Sequence, residues 1–358
     1  MLAFVTGASS GIGRDIAKKL SEKGYDLIIT ARDEDKLLEL KKEIESNAKV
    51  KIKIFLANLE KEEEIFGLYE KVKDEKIDVF INNAGFGIIG EFWNTDLQAE
   101  ISMLKVNDMA MHILFKLILK DMIKATSEAH LTNAEKSSET FQNLDVFQSS
   151  NTFQNSDVFQ SSNTFQNSDA FQSSNTFQNL DVFQSSNTFQ NSNIFQQISK
   201  TKNEKYILNV ASLSGYMPGP LMSAYYATKA YMLNLTRGVY KELKMAKLDK
   251  KINVSVLCPG PVYTNFADRA GVVFKLKNLT SEYTAKYAIN KLFAKKLVIV
   301  PGFLNKCGHI LSKIIPSKIV MAVTYRIQKK KWYFKSGTDL NCKFFSNKGL
   351  ILTVNFFD

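Results

Sequence analysis

Residues 6–13 read Thr-Gly-Ala-Ser-Ser-Gly-Ile-Gly, directly after the apolar run LAFVT and directly before a stretch with apolar residues at helical spacing. A strand, a glycine-rich loop and a helix in that order form a phosphate-binding turn. Gly7 permits the tight turn, while Gly11 and Gly13 remove Cβ atoms where a helix must approach the sheet. The free N–H groups and positive dipole end of that helix suit a pyrophosphate. Outward from this turn the same rhythm repeats. Short apolar runs lie at 25–31 (YDLIITA), 50–57 (VKIKIFLA) and 77–85 (IDVFINNAG), with helical, charge-rich stretches at 14–23, 36–46 and 60–73 between them. It resumes at 206–212 (YILNVAS), 252–260 (INVSVLCPG) and 296–302 (KLVIVPG). Strands alternating with helices predict right-handed crossovers and a doubly wound parallel α/β sheet.

An interruption at 125–205 separates the two halves. Within it, residues 137–196 are five twelve-residue units of the form SSNTFQNSDVFQ, with Phe every sixth position and no Pro or Gly. Aliphatic residues are too sparse there for a normal core. The composition reads as a flexible insertion made by repeat expansion; a stack of six-residue coils is the other reading. Because the insertion joins a helix to a strand, it leaves the sheet opposite the strand ends where ligands bind. The reading is therefore a single catalytic domain at 1–300 with this insertion, basic amphipathic helices at 301–331 and an unassigned tail at 332–358.

The net charge of +11 is unevenly placed. Residues 291–358 hold thirteen Lys/Arg and two Asp/Glu, so the first 290 residues are balanced. Any electrostatic partner is expected at the C-terminal end. Residues 303, 304, 307, 310, 311, 314 and 315 are apolar and share one helical face, flanked by Lys306 and Lys313, and a second basic stretch runs from 318 to 331. Two readings stay open for this face: packing on the sheet or a partner subunit, or peripheral contact with an anionic membrane. Charge alone would permit nucleic acid, but no recognised module is present and none is expected as a partner. Three Cys and three His are scattered, without metal or disulfide spacing, so no metal site is expected and the compartment is read as reducing and cytoplasmic. No secretory leader and no membrane-length apolar run is read.

Chemistry enters at three further places. The second strand ends Ile29-Thr30-Ala31-Arg32, where an NAD-preferring site carries an acid for the ribose hydroxyls. The guanidinium of Arg32, with Arg14 as a second cation, suits a 2′-phosphate, so the cofactor is read as NADP(H). The competing reading has Arg32 merely starting the next helix and Asp33 capping it. NNAG at 82–85 closes the fourth strand with amides able to tie strand ends together. In SAYYATKAY, Tyr225 and Lys229 stand one turn apart, with Cβ atoms about 5–6 Å apart. A phenol acting as acid/base at neutral pH needs its pKa lowered by about three units, or about 4 kcal/mol. One ammonium at about 4 Å supplies that only at reduced dielectric, so the pair requires a partly dry cleft.

Together TGASSGIG, NNAGFG, NVAS, PGP, YYATKAY and CPGP resemble the short-chain dehydrogenase/reductase family, over residues 1–124 and 206 to about 300. The resemblance implies a Rossmann-like fold and a reaction interconverting a carbonyl and a secondary alcohol. It implies Tyr225 as acid/base, Lys229 lowering its pKa and holding the nicotinamide ribose, Ser212 bonding the substrate oxygen, and Asn107 ordering a relay water. Tyr226 is the competing phenol, but its fourth successor is Ala230; Ser214 is the competing hydroxyl. The implied cofactor contacts are Gly7, Ser9, Ser10, Gly11, Ile12, Gly13, Arg14, Arg32, Asn58, Asn83, Ala84, Gly85, Pro259, Gly260 and Thr264, besides Tyr225 and Lys229. Asn58 stands where the family usually carries Asp. Residues 261–282 are expected to form a substrate lid; family members often pair through the helices carrying Asn107 and Tyr225, but the insertion begins at the end of the first, so both a monomer and a homo-oligomer stay open. A lipid-like oxo substrate is suggested by the basic amphipathic tail. The alternative is a non-catalytic nucleotide-binding scaffold that presents the repeat to partners.

Overall fold

A computed structural model describes residues 1–134, 204–263 and 279–335. The repeat at 137–196, Thr264 and the tail beyond 335 lie outside the described residues. All seven expected apolar runs are strands of one sheet: β1 (Leu2–Thr6), β2 (Asp26–Ala31), β3 (Ile52–Leu56), β4 (Ile77–Asn82), β5 (Lys205–Val210), β6 (Ile252–Leu257) and β9 (Val298–Ile299). They pair in parallel in the order β3-β2-β1-β4-β5-β6-β9. The short strands β7 (Val262–Tyr263) and β8 (Leu279–Thr280) pair separately; both fall within the expected lid at 261–282, of which 264–278 lie outside the described residues.

Side-chain alternation along each strand sorts the core into two layers. Ala3, Val5, Leu27, Ile29, Val79, Ile81 and Leu208 face one side, against α1 (Gly11–Ser21), α2 (Glu34–Glu45) and α7 (Ser281–Phe293). Phe4, Ile28, Phe80 and Ile207 face the other, against α3 (Glu62–Val72), α5 (Met111–Ala134) and α6 (Ser223–Met245). The rings of Phe4 and Phe80 stack at 5.2 Å in that second layer. Because both faces are covered, the strands read as continuous apolar runs.

Two local features position the site. Asp33 caps α2, its carboxylate accepting from the Lys36 N–H at 3.1 Å. By contrast α1 begins at Ser10 with no side-chain cap and no acid in its first turn. Its first N–H groups are thus left for something else. The helix α4 (Leu97–Leu104) runs through a π-helical turn, Lys105–Ala110, into α5. That wider turn holds Asn107 and Asp108, and such turns concentrate at functional sites. Helix α5 continues to Ala134, ten residues beyond the end at Lys124 that the sequence suggests. The C-terminal segment forms α8 (Phe303–Ile314) and α9 (Ser317–Lys335).

Candidate active site

A cleft of about 450 Å³ opens along the carboxyl ends of the strands. The loops after β1, β2, β3, β4, β5 and β6 all reach it, and it crosses the point where strand order reverses between β1 and β4. This is where ligands bind in open α/β sheets. Gly7, Ser9, Ser10, Gly11 and Ile12 line one end, with Arg32 and Asn58 beside them; Asn83, Ala84 and Gly85 form the floor; Ser212, Tyr225, Lys229, Pro259 and Gly260 line the other end. Gly7 adopts φ +65°, a left-handed conformation that favours glycine.

Hydrogen bonds hold the floor rigid. Thr6 Oγ1 accepts from the N–H groups of Asn83 at 2.9 Å and Ala84 at 3.1 Å. The Asn83 amide donates back to the carbonyls of Thr6 at 3.0 Å and Gly7 at 3.2 Å. Asn82 donates to Asn209 on β5 at 3.2 Å and to the Met111 carbonyl at 2.8 Å. The two asparagines of NNAG therefore tie β4 to β1, β5 and α5, as their position suggests.

The four candidate catalytic residues converge from three elements separated by up to 122 residues of chain. Lys229 Nζ donates to the Val210 carbonyl at 3.1 Å and lies 5.8 Å from the centre of the Tyr225 ring. The Ser212 hydroxyl donates to the Pro259 carbonyl at 3.4 Å and, more than Ser214, acts to lower the pKa of the Tyr225 phenol against its burial. Ser212 itself caps the 3-10 turn Leu213–Tyr216, accepting from the Ser214 N–H at 3.2 Å. Asn107 lies one layer behind the cleft. Its amide is clamped to the backbone of Phe86 at 2.8 Å and 3.0 Å and donates to Thr228 at 3.1 Å. A Cβ on Gly85 would sit 2.8 Å from Asn107 Oδ1 and 3.3 Å from Lys229 Nζ, so only glycine leaves this corner open.

Electrostatics at the site departs from the spacing argument. Tyr225 is pushed up to about 12 by burial, only partly offset by the Ser212 hydroxyl. Lys229 is brought down to about 8 by burial, partly offset by the carboxylate of Asp108. Desolvation of the pair outweighs the attraction that the one-turn spacing implies, and the ammonium donates to the Val210 carbonyl at 3.1 Å. Asp108 in turn is raised to about 6 by burial, opposed by Lys229, and its Oδ1 has no hydrogen-bond partner among the described residues.

Two of the expected contacts do not line the cleft. Arg14 does not reach the cleft. Its guanidinium bonds Glu39 at 2.8 Å and Glu43 at 2.8 Å on α2, and those carboxylates outcompete an open site for it. Gly13 likewise lies behind the lining, packed so that a Cβ would meet the Gly7 carbonyl at 2.4 Å. Arg32 does line the cleft, half-exposed and ion-paired with Glu60. Asn58 accepts from the Glu60 N–H at 3.1 Å and its own N–H donates to Glu64 at 2.7 Å, so the two polar ends of this corner are linked.

Helix α9 supplies residues that the sequence reading missed. Thr324, Ile327 and Gln328 wall the cleft, and Gln328, only 3% exposed, donates to the Tyr226 phenol at 2.7 Å. The signal lay in the spacing of Val320, Thr324 and Gln328, which form a buried stripe four residues apart inside a helix otherwise read as basic and amphipathic.

A family model described as short chain dehydrogenase matches residues 1–133 and 126–271, more than half of the chain. The protein belongs to the short-chain dehydrogenase/reductase family of oxidoreductases. An uncharacterized oxidoreductase of Staphylococcus saprophyticus is 33% identical over 134 residues, 37% of this chain and 57% of that protein. A very-long-chain 3-oxoacyl-CoA reductase of Kluyveromyces lactis is 44% identical over 85 residues, 23% of this chain and 25% of that protein. The chain thus spans little more than half, or less, of the length of the curated relatives it matches. In fold, a short-chain dehydrogenase from Sphingobium yanoikuyae, solved in complex with NADPH, aligns with TM-score 0.58 at 20% identity, over 88% of this chain and 96% of that one.

Proposed function

We propose that this protein is an NADP(H)-dependent oxidoreductase that interconverts a carbonyl and a secondary alcohol. The observation that carries the reading is the convergence of Ser212, Tyr225 and Lys229 at one end of a cleft whose other end is the uncapped, glycine-lined start of α1.

The cleft fits a dinucleotide. The free N–H groups of α1, with no acid in its first turn, would take the pyrophosphate. Asn58 would meet the adenine, and the open corner at Gly85 beside Lys229 would admit the nicotinamide ribose. Arg32 supports NADP(H) over NAD(H), since a guanidinium at the end of β2 suits a 2′-phosphate that would exchange with Glu60. Asp33, the acid next in the chain, is committed to the α2 cap and to Lys36.

When bound, reduced nicotinamide supplies hydride. The residues of this chain supply the rest. Burial keeps Tyr225 protonated at neutral pH, so the phenol is a proton donor for an oxygen that gains negative charge. The Ser212 hydroxyl shares that oxygen's position and polarises the carbonyl. Lys229, charged below about 8, places positive charge behind the phenol and stabilises the phenolate left after transfer. Asn107, fixed by the Phe86 backbone, would steady the Gly85 corner of the cleft beside Lys229.

A lipid-like substrate such as a 3-oxoacyl chain is supported by the apolar wall of Met217, Met222, Val262 and Ile327, and by similarity to the 3-oxoacyl-CoA reductase. The test is a carbonyl panel, including 3-oxoacyl thioesters, followed by NADPH oxidation with the full chain. Turnover of at least one oxo substrate is expected. Tight NADPH binding with no turnover across the panel would overturn the reading in favour of a non-catalytic scaffold.

A further inference from the structure

Helix α8 is amphipathic in the reverse sense. Its half-buried positions are polar or small: Asn305 donates to the Pro301 carbonyl at 2.8 Å and packs on Gly260, and His309 meets the Tyr216 ring edge-on at 4.1 Å. Its large apolar residues point outward, with Leu304 83%, Phe303 78% and Ile314 75% exposed, and Ile310 and Leu311 beside them. The face that the sequence marks as a packing surface is therefore turned away from the sheet. Beyond Pro316, α9 behaves similarly. It buries Val320, Thr324 and Gln328 and exposes the neighbouring stripe Ile319, Val323 and Ile327.

Exposed apolar area on this scale marks a surface that meets another apolar phase. Its charge says which. Residues 303–335 hold eight Lys/Arg and no Asp/Glu. A second copy seated on the same face would bring like charges together. A nucleic acid would use the cations but leave the apolar side chains in water. A bilayer carrying anionic headgroups satisfies both. Among the described residues no helix is long and apolar enough to cross a membrane, which leaves an in-plane position.

We propose that α8 and α9 seat the protein on an anionic lipid surface, with Phe303, Leu304, Ile310 and Ile314 below the headgroups and Lys306, Lys318, Arg326 and Lys329 at the phosphates. Because Ile327 is both half-exposed and part of the cleft wall, the mouth of the cleft borders the lipid. An apolar substrate would then enter from the bilayer, a consequence that rests on the oxidoreductase reading.

The experiment is co-sedimentation of the full chain with vesicles of phosphatidylcholine alone or of phosphatidylcholine and phosphatidylserine in equal parts. NADPH binding is measured on the same samples. Binding to the mixed vesicles is expected to exceed binding to the neutral ones by about tenfold and to weaken in salt. A triple variant, F303S/L304S/I314S, is expected to lose about tenfold or more of the vesicle affinity while binding NADPH normally. Two results would overturn the proposal: absent or equal binding to both vesicle types, or a wild-type dimer that the triple variant converts to monomer, which would make the face a contact between copies. Lost NADPH binding with intact vesicle binding would instead count against the oxidoreductase reading alone.

Discussion

Helices α6 and α8 are both two-faced and turn their faces in opposite directions. In α6 the stripe Tyr225, Thr228, Lys229, Met232, Leu233 and Thr236 is buried, so its polar members are desolvated among apolar ones. In α8 the stripe Phe303, Leu304, Ile310 and Ile314 is exposed, and the polar Asn305 and His309 lie inward. The difference teaches that amphipathic periodicity identifies a helix and its two faces but not which face meets the protein. On α6 burial shifts the protonation of a tyrosine and a lysine; on α8 it is the unburied face that carries the function proposed for it.

Several substitutions would break or sharpen that contrast. The largest effect is expected at Tyr225→Phe, which keeps the ring but removes the proton. Turnover should fall by about 10²–10⁴-fold with NADPH affinity nearly unchanged, as read by steady-state kinetics beside a binding titration; retained turnover would point to another acid. Next, Leu233→Ala on α6 deletes a side chain that is 1% exposed, so a loss of about 2–5 kcal/mol in denaturant unfolding is expected. Leu304→Ser on α8 serves as its counterpart, with a change within about 0.5 kcal/mol in the absence of lipid. Equal losses at the two positions would show that α8 does not expose its apolar face in solution.

Smaller effects test the electrostatics. Arg32→Ala should weaken NADPH by about tenfold and leave NADH almost unaffected; equal weakening of both would remove Arg32 from the 2′-phosphate site. Asp108→Asn addresses the buried charges. Lys229 is held down to about 8 by burial and supported by the Asp108 carboxylate, so activity that needs the ammonium should decline as pH rises past about 8. Removing the carboxylate destabilises the cation, lowers its pKa and should move that alkaline limb to lower pH. An unmoved limb, or one displaced upward, would show that Lys229 does not titrate with Asp108 as its neighbour.

The parallel sheet was legible because its central strands β1, β2, β4, β5 and β6 are buried on both faces and stand out as apolar segments, while the edge strand β3 keeps Lys53 and Leu56 exposed. The strand–turn–helix at residues 2–21 was legible because its glycines, the preceding strand and the following helix are contiguous in the chain. The partners of Arg14 were not legible, because the spacing that puts it on the first turn of α1 says nothing about Glu39 and Glu43, which reach it from α2. Gln328 was missed because its partner, Tyr226, lies 102 residues earlier in the chain.

By itself the sequence determined the order of strands and helices, the phosphate-binding turn and the one-turn spacing of Tyr225 and Lys229, all of which follow from local periodicity and local backbone preference. Only the tertiary structure decided that the phenol is raised and not lowered, that Asp108 stands by Lys229, that α9 walls the cleft and that α8 faces outward. Those outcomes depend on burial and on distances between residues far apart in the chain. Desolvation and Coulomb attraction are set by how many atoms surround a group in three dimensions, and no sequence spacing carries that number.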